Sequence, residues 1–483
     1  MDRISNLPDE VLCHILSLLP TKDSALTSAL SKRWLNLWKL VPHPEKGKGE
    51  RDEIRQSFVD FVDSVLARQG DSPVEKFTLK CITGIHPDIV NRWIRNVVQR
   101  GVSDLTLNTD FSYTNTDEDG YRLPEEMFCS KTLVTLRLRS ENCVDWWHPD
   151  MGSSLPMLKK LDINSEVIFC GEIEEFVPSF PALEDLRMSN MEWPELDVTV
   201  SSESIRKLSL HGTGCEPMKF WQNPKSFSFD TPSLLSLNYS ELVAEDYPVV
   251  NMENLLEARI NLIVTDGQIK RLRGTLDDDE ELKDGEAEEG DVVLHFGNVV
   301  KLMYGIRNVR KLCLPADTLE VLSQCCESMP VFNNIIFLGV TSEPNRVWQA
   351  MPGLLRNCPH LETIIFQGLL HHVTDKCGDA CPCISWEDKG RSLTSCPVKM
   401  IEIQGFRGTM KEMTMIKHFL DYLPCLKLMK IYIEEHEPTQ LRNREVSNLV
   451  LEMFELYNKL SSCDVQLLAS DFLDEKLTAQ GYI

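Results

Sequence analysis

One apolar frame, L-x-x-L-x-L, keeps returning along the chain and limits it to folds built by stacking a repeated unit. "VEKFTL" starts at 74, "VSDLTL" at 102, "LVTLRL" at 133, "LKKLDI" at 158, "LEDLRM" at 183 and "IRKLSL" at 205. "LLSLNY" follows at 234, "LLEARI" at 255, "VRKLCL" at 309, "FNNIIF" at 332, "LETIIF" at 361, "VKMIEI" at 398 and "LKLMKI" at 426. Proline stands two positions ahead of the frame at 156, 181, 232, 330, 359 and 424, which supports a common register. Alternation at the fourth and sixth positions suits a short strand with those side chains inward. Between two starts, "PDIVNRWIRNVVQRG" reads as a helix that begins at Pro87 and stops at Gly101.

Most intervals fall near the 20 to 29 residues of leucine-rich repeats, although one spans 54. Strand then helix, repeated, predicts an α/β solenoid whose parallel strands line a concave face. A sandwich of unrelated α/β pieces is the alternative, and the shared frame argues against it. A single repeat cannot bury its own apolar edge, so stacking makes the core and leaves the strand face and loops for recognition.

With 74 acidic against 50 basic residues the net charge is -24, which argues against nucleic acid and anionic membrane surfaces as partners. No apolar run approaches the length of a membrane span, and Asp2, Asp9 and Glu10 stand where a secretory signal wants basic residues, so an intracellular protein of cytoplasm or nucleus is expected. The 16 cysteines follow no regular framework and read as free thiols. In that setting Asn238-Tyr239-Ser240 is a chance glycosylation match. Inside the long interval, residues 277–291 hold ten carboxylates in fifteen positions, opposed only by Lys283, and predict a loop projecting from the array. A solvated insertion is the favoured reading, and a lure for a basic partner is the sharper one.

The first forty residues differ in kind. Pro8 with Asp9 and Glu10 suits a helix start, Val11, Leu12, Ile15, Leu16 and Leu19 form one stripe, and Pro20 ends it. Thr21 can cap a second helix with Ala25, Leu26, Ala29 and Leu30, and Ser31 a third with Trp34, Leu37 and Trp38. Three helices of this size need a staple or a partner to be stable. Either they cap the array by burying their apolar face on their own chain, or another protein completes them. The segment "ISNLPDEVLCHILSLLPTKDSALTSALSKRWLNLW" closely resembles the F-box motif of plant F-box proteins with leucine-rich repeats. That resemblance implies a Skp-type adaptor as partner and, through it, a cullin. It implies an adaptor face and supporting core made of Leu7, Pro8, Val11, Leu12, Ile15, Leu16, Leu19, Leu30, Trp34, Leu37 and Trp38. After "VP" this chain departs from the family with the charged "HPEKGKGERDE".

Further on, Ile54, Phe58, Phe61, Val62, Val65 and Leu66 share one helix face. Residues 396–433 resemble the FBD region that closes the array in this family: strand, "GFRGT" turn, helix with Ile416, Phe419 and Leu420, then strand. Val446, Leu449, Val450, Met453, Phe454, Tyr457 and Leu460 recur at helical spacing and are expected to cap the last repeat. The expected organisation is therefore F-box 1–42, linker and helix 43–70, repeats 71–270, acidic insertion 271–295, repeats 296–395, FBD-like region 396–440 and capping helices 441–483.

Enzyme signatures are weak. Gly212-x-Gly214 lacks a third glycine and meets Pro217, and no G-x-S-x-G, H-E-x-x-H or phosphate loop is present. His371, His372, Cys377, Cys381 and Cys383, with Cys396 further on, form the densest metal-like cluster. Its Cys-x-x-x-Cys-x-Cys spacing departs from the usual pairs, so unligated thiols are preferred over zinc, and no metal or cofactor is expected. The resulting expectation is a non-catalytic, substrate-recognition subunit of a cullin-based ubiquitin ligase with an unnamed protein target. A repeat scaffold or ligand receptor unconnected to ubiquitination, or a zinc or thiol enzyme built on the cysteines, are the alternatives.

Overall fold

The computed structural model describes residues 48–81, 85–109, 121–140, 144–145, 155–169, 173–192, 197–212, 224–273, 296–383, 390–434 and 439–469. The chain falls into two units, residues 1–192 and 193–483. In the first, the strands are β1 (Lys76–Cys81), β2 (Asp104–Thr109), β3 (Tyr121–Arg122), β4 (Thr135–Arg139), β5 (Val144–Asp145), β6 (Lys160–Phe169) and β7 (Asp185–Glu192). β1, β2, β4, β6 and β7 pair in that order, all parallel. The frame explains the packing: its first, fourth and sixth residues, such as Leu133, Leu136 and Leu138 or Leu183, Leu186 and Met188, are buried, apart from the half-buried Phe77 on β1. The helix Pro87–Gln99 starts and ends as its sequence implies. Gly101 takes φ +79, and Val102 and Gly101 donate their backbone N–H groups to the carbonyls of Val97 and Val98. This closes the helix with a left-handed glycine. The helix Lys48–Gln69 buries Val59, Val62 and Leu66, while Phe58, Phe61 and Val65 of the expected stripe are half-buried. It meets the next helix through Phe58 edge-on to Trp93 and through Asp63, which accepts from Arg92 and from Trp93 Nε1 at 2.7 Å.

The second unit contains β8 (Asp197–Ser201), β9 (Lys207–Gly212), β10 (Ser226–Asp230), β11 (Ser236–Leu242), β12 (Val250–Asn251), β13 (Glu257–Ile263), β14 (Lys311–Leu314), β15 (Phe337–Thr341), β16 (Thr363–Gln367), β17 (Met400–Phe406), β18 (Leu428–Ile433) and β19 (Asp464–Leu468). From β9 to β19, omitting β10 and β12, each pairs in parallel with the next. β13 lies directly beside β14, so the 54-residue interval is an insertion inside one repeat. Its acidic part, residues 277–291, lies outside the described residues.

The recurring proline has a physical role. It occupies the second position of a turn closed by the frame's first N–H: Leu183 donates to Phe180 at 3.1 Å, Leu234 to Thr231 at 3.1 Å and Leu361 to Cys358 at 3.2 Å. At 330 the proline misleads. Phe337 pairs with Lys311 and with Thr363, which places the frame at 335 and buries Ile335, Leu338 and Val340. Asn333-Asn334 takes the turn position that Pro-x fills elsewhere, so the expected start at 332 is three residues early.

Two further features depart from strand-then-helix. β8, β10 and β12 form a second parallel sheet where helices were expected, because "DVTV" and "SFSF" alternate with period two. β19 has no leucine frame, yet it follows the helix Arg444–Leu460 and pairs with β18. That helix buries only Val450, Phe454 and Tyr457; Leu449 and Leu460 of the expected capping stripe are exposed. In the FBD-like segment the helix Met410–Tyr422 begins with a capping box in which Glu412 accepts from Thr409 N at 2.8 Å and Thr409 Oγ1 accepts from Glu412 N. Ile416 and Phe419 are buried there and Leu420 is half-buried.

The insertion leaves β13 longer than its partner, since β14 pairs only with Glu257, Ala258 and Arg259. Thr318, fully buried on the helix Ala316–Leu322, supplies what the missing strand would: its hydroxyl donates to Ile260 O at 2.7 Å and accepts from Leu262 N at 2.9 Å. Buried backbone groups must find partners. Thr318→Val keeps the shape and strands both, so a loss of roughly 1–3 kcal/mol per orphaned group is expected in urea unfolding. Thr318→Ser should recover most of it; a wild-type midpoint for the valine variant would overturn this account.

Candidate functional site

Period two in each strand sends the residues between the frame's buried positions to the opposite face, and the parallel register lines them up in rows. In the first unit one row runs Lys76, Asp104, Thr135, Lys160, Asp185, and the next Thr78, Thr106, Arg137, Asp162, Arg187. Asp104 sits between Lys76 at 3.7 Å and Arg137 at 3.1 Å, Arg139 lies 4.0 Å from Asp162, and Arg187 lies 3.3 Å from Asp185. Such partly exposed pairs contribute only about 0–1 kcal/mol each. Their effect is to hold charges of both signs in fixed places, a pattern suited to a protein surface of complementary charge.

In the second unit the rows change character along the stack. On the early strands Asn261 donates to Ser240 at 2.9 Å and Lys311 pairs with Glu257 at 2.6 Å. Burial and the Arg259 guanidinium hold the His211 imidazole below its ordinary pKa. On the later strands the same rows present half-buried Phe337, Ile365, Met400 and Leu428. Glu402 is buried among them, accepting from Gln404 at 2.9 Å, and burial with this carboxylate raises the Tyr432 phenol. A polar stretch beside an apolar one is what a protein-binding face needs: fixed hydrogen-bonding groups for specificity and an apolar patch for affinity. The frame positions alone carry the signal for these residues, since every third and fifth residue falls on this face.

The structure also assembles part of the cysteine cluster. One ligand atom from each of His371, Cys377, Cys381 and Cys383 lies within 4.8 Å of all the others. Cys396 is not among them; burial raises its thiol to about 11. Of the two adjacent histidines, His371 joins, while His372 bridges through its backbone to Val347. The adaptor-face residues Leu7, Pro8, Val11, Leu12, Ile15, Leu16, Leu19, Leu30, Trp34, Leu37 and Trp38 lie outside the described residues.

Known proteins match both parts of the chain. A family model of the F-box domain matches residues 4–46, and one described as the LRR repeats of FBD-associated F-box protein At5g56370 matches residues 90–243. F-box/LRR-repeat protein At3g58930 of Arabidopsis thaliana is 63% identical, with 99% of this chain and 100% of that protein covered. The chain belongs to the F-box/LRR-repeat family. F-box/LRR-repeat protein At3g58940 of the same plant is 60% identical over 93% of this chain and 68% of its own length. F-box protein At3g03040 is 56% identical over 97% and 98%. In this F-box/LRR-repeat protein, no helix among the described residues is long and apolar enough to cross a membrane.

Proposed function

We propose that this F-box/LRR-repeat protein is the substrate-recognition subunit of a cullin-based ubiquitin ligase inside the cell. Its F-box docks a Skp-type adaptor and its repeats hold a protein target. The observation that carries this reading is the joining, in one chain, of an F-box match at residues 4–46 to parallel repeats with a fixed polar and apolar face. The mechanism is positional. Docking raises the target's effective concentration near the ubiquitin-carrying enzyme, so the chain contributes no catalytic residue of its own. The division into F-box 1–42, repeats to about 395, FBD-like region and C-terminal cap follows the same reading, with the adaptor face assigned to Leu7 through Trp38.

An apolar helix face entering a groove is sensitive to a single charge. Leu16→Asp replaces a contact of about 1.5–3 kcal/mol with a buried, unpaired carboxylate, so adaptor capture should fall by about a hundredfold or more. Trp34→Ala should fall comparably, with the circular dichroism of both variants unchanged. Undiminished recovery of the adaptor by both variants would count decisively against this interface, and no recovery by the wild-type protein would favour a repeat scaffold without a ligase role.

A further inference from the structure

We propose that His371, Cys377, Cys381 and Cys383 form a structural zinc site that clasps the loop between β16 and β17. A tetrahedral zinc, with Zn–S of about 2.3 Å and Zn–N of about 2.0–2.1 Å, holds its donor atoms roughly 3.5–3.8 Å apart. The four donors here already lie within 4.8 Å of one another, and His371 Nε2 is 3.3 Å from Cys383 Sγ. Three sulfurs and one imidazole are a donor set that selects zinc over hard cations.

The surroundings orient the histidine as a ligand. Its Nδ1 faces the Leu369 carbonyl at 3.4 Å, which selects the tautomer with hydrogen on Nδ1 and leaves the Nε2 lone pair toward the sulfurs. The ring stacks on Trp348 at 4.7 Å between centroids and 13° between planes, and Trp348 is itself fixed by donating Nε1–H to Ser342 Oγ at 2.9 Å. Thiols buried merely as small apolar groups would not need an imidazole nitrogen aimed at them. Cys377, Cys381 and Cys383 are free of disulfides, so all three sulfurs are available as ligands.

The loop has reason to need a clasp. Between Gln367 and Met400 its described regular structure is one short helix, Arg391–Thr394. Hydrogen bonds tie it at intervals: His372 N donates to Arg346 O at 2.7 Å, Gly390 N donates to Asp379 O at 3.0 Å, and the His418 side chain meets the same carbonyl through Nε2 at 3.1 Å. Gly378 lies so close to Pro352 that a Cβ there would come within 2.5 Å of its ring. These contacts bring the donors together before any metal arrives, so zinc binding adds directly to the stability of this loop.

The full-length protein, purified under reducing conditions with its adaptor if required for solubility, should hold about one zinc per chain by elemental analysis. Cys383→Ser, at the exposed ligand, should leave it near zinc-free, and chelation of the wild-type protein should open the segment 371–383 to protease. If the variant does not fold, cobalt(II) titration of chelated wild-type protein reads the site directly, with strong visible absorption from tetrahedral thiolate coordination as the expected result. Zinc absent and not taken up when added, iron in its place, zinc retained by Cys383→Ser, or weak octahedral cobalt absorption would each overturn the proposal. Adaptor capture by Leu16→Asp is independent of every one of these outcomes.

Discussion

Glu320→Ala is expected to destabilise the second unit by roughly 3–5 kcal/mol. Glu320 is 1% exposed, on a buried helix, and its carboxylate accepts from Arg273 Nε at 3.0 Å, from the second guanidinium nitrogen at 2.7 Å and from Val347 N at 2.9 Å. Arg273 also donates to Asn345 O at 2.8 Å, and Arg346 Nε pairs with Asp317 at 2.5 Å on the same helix. The alanine therefore removes three hydrogen bonds at once, leaving a guanidinium 20% exposed without its counter-ion and a buried N–H without an acceptor. Glu320→Gln keeps an acceptor for Val347 and should cost less than half as much. Arg273→Ala leaves the carboxylate buried and uncompensated, and the double variant should be less destabilised than the sum of the singles, because neither orphaned charge then remains. Additive losses in chemical denaturation would show that the pair is not coupled. The pair matters for architecture because Arg273 ends the helix Asp266–Arg273, from which the long insertion departs, and this ion pair ties that exit to the repeat body.

Phe229→Ala should cost about as much, roughly 3–5 kcal/mol, by a different mechanism. Phe229 is fully buried on β10, with its ring 4.9 Å from Phe227 and 5.4 Å from Tyr239 on β11, while Phe227 lies 5.1 Å from Tyr239. Three rings thus fill the space between the small β8, β10, β12 sheet and the main ladder. Deleting one leaves a cavity that two parallel sheets cannot collapse to fill, and it also removes two edge or tilted ring contacts. Phe229→Leu, which restores most of the volume, should lose less than half as much. Hydrogen exchange should localise the loosening to β10 and β11; a loss under about 1 kcal/mol, or exchange unchanged on those strands, would show that the aromatic wedge does not hold the sheets together.

The repeat was legible because burial at three frame positions is enforced by the same neighbour geometry in every copy. An irregular spacing does not disturb it: loops of any length can leave and return to a stacked strand. The misplaced frame at 332 shows where that reading fails. Phe332 and Ile335 are both buried, so hydrophobicity could not separate the two registers, and only the partners of Phe337 on β14 and β16 could. The capping stripe of the helix Arg444–Leu460 failed for a related reason. Helical spacing names every apolar residue that could face inward, but only the side carrying Val450, Phe454 and Tyr457 is covered, with Phe454 edge-on to Phe406 of β17 and Tyr457 donating to the Met413 carbonyl of the helix Met410–Tyr422.

Local pattern was thus sufficient for the α/β repeat class, the inward positions, the turns and helix ends set by Pro87 and Gly101, and the likeness of the first forty residues to an F-box. Each depends on contacts or conformations within a few residues of one another, so the order of the amino acids encodes them directly. The second sheet, the Thr318 graft onto β13, the Arg273–Glu320 pair 47 residues apart and the meeting of His371 with Cys377, Cys381 and Cys383 came only from the packed chain. Their geometry is set by loops closing over long stretches, where spacing along the backbone carries almost no information about distance in space.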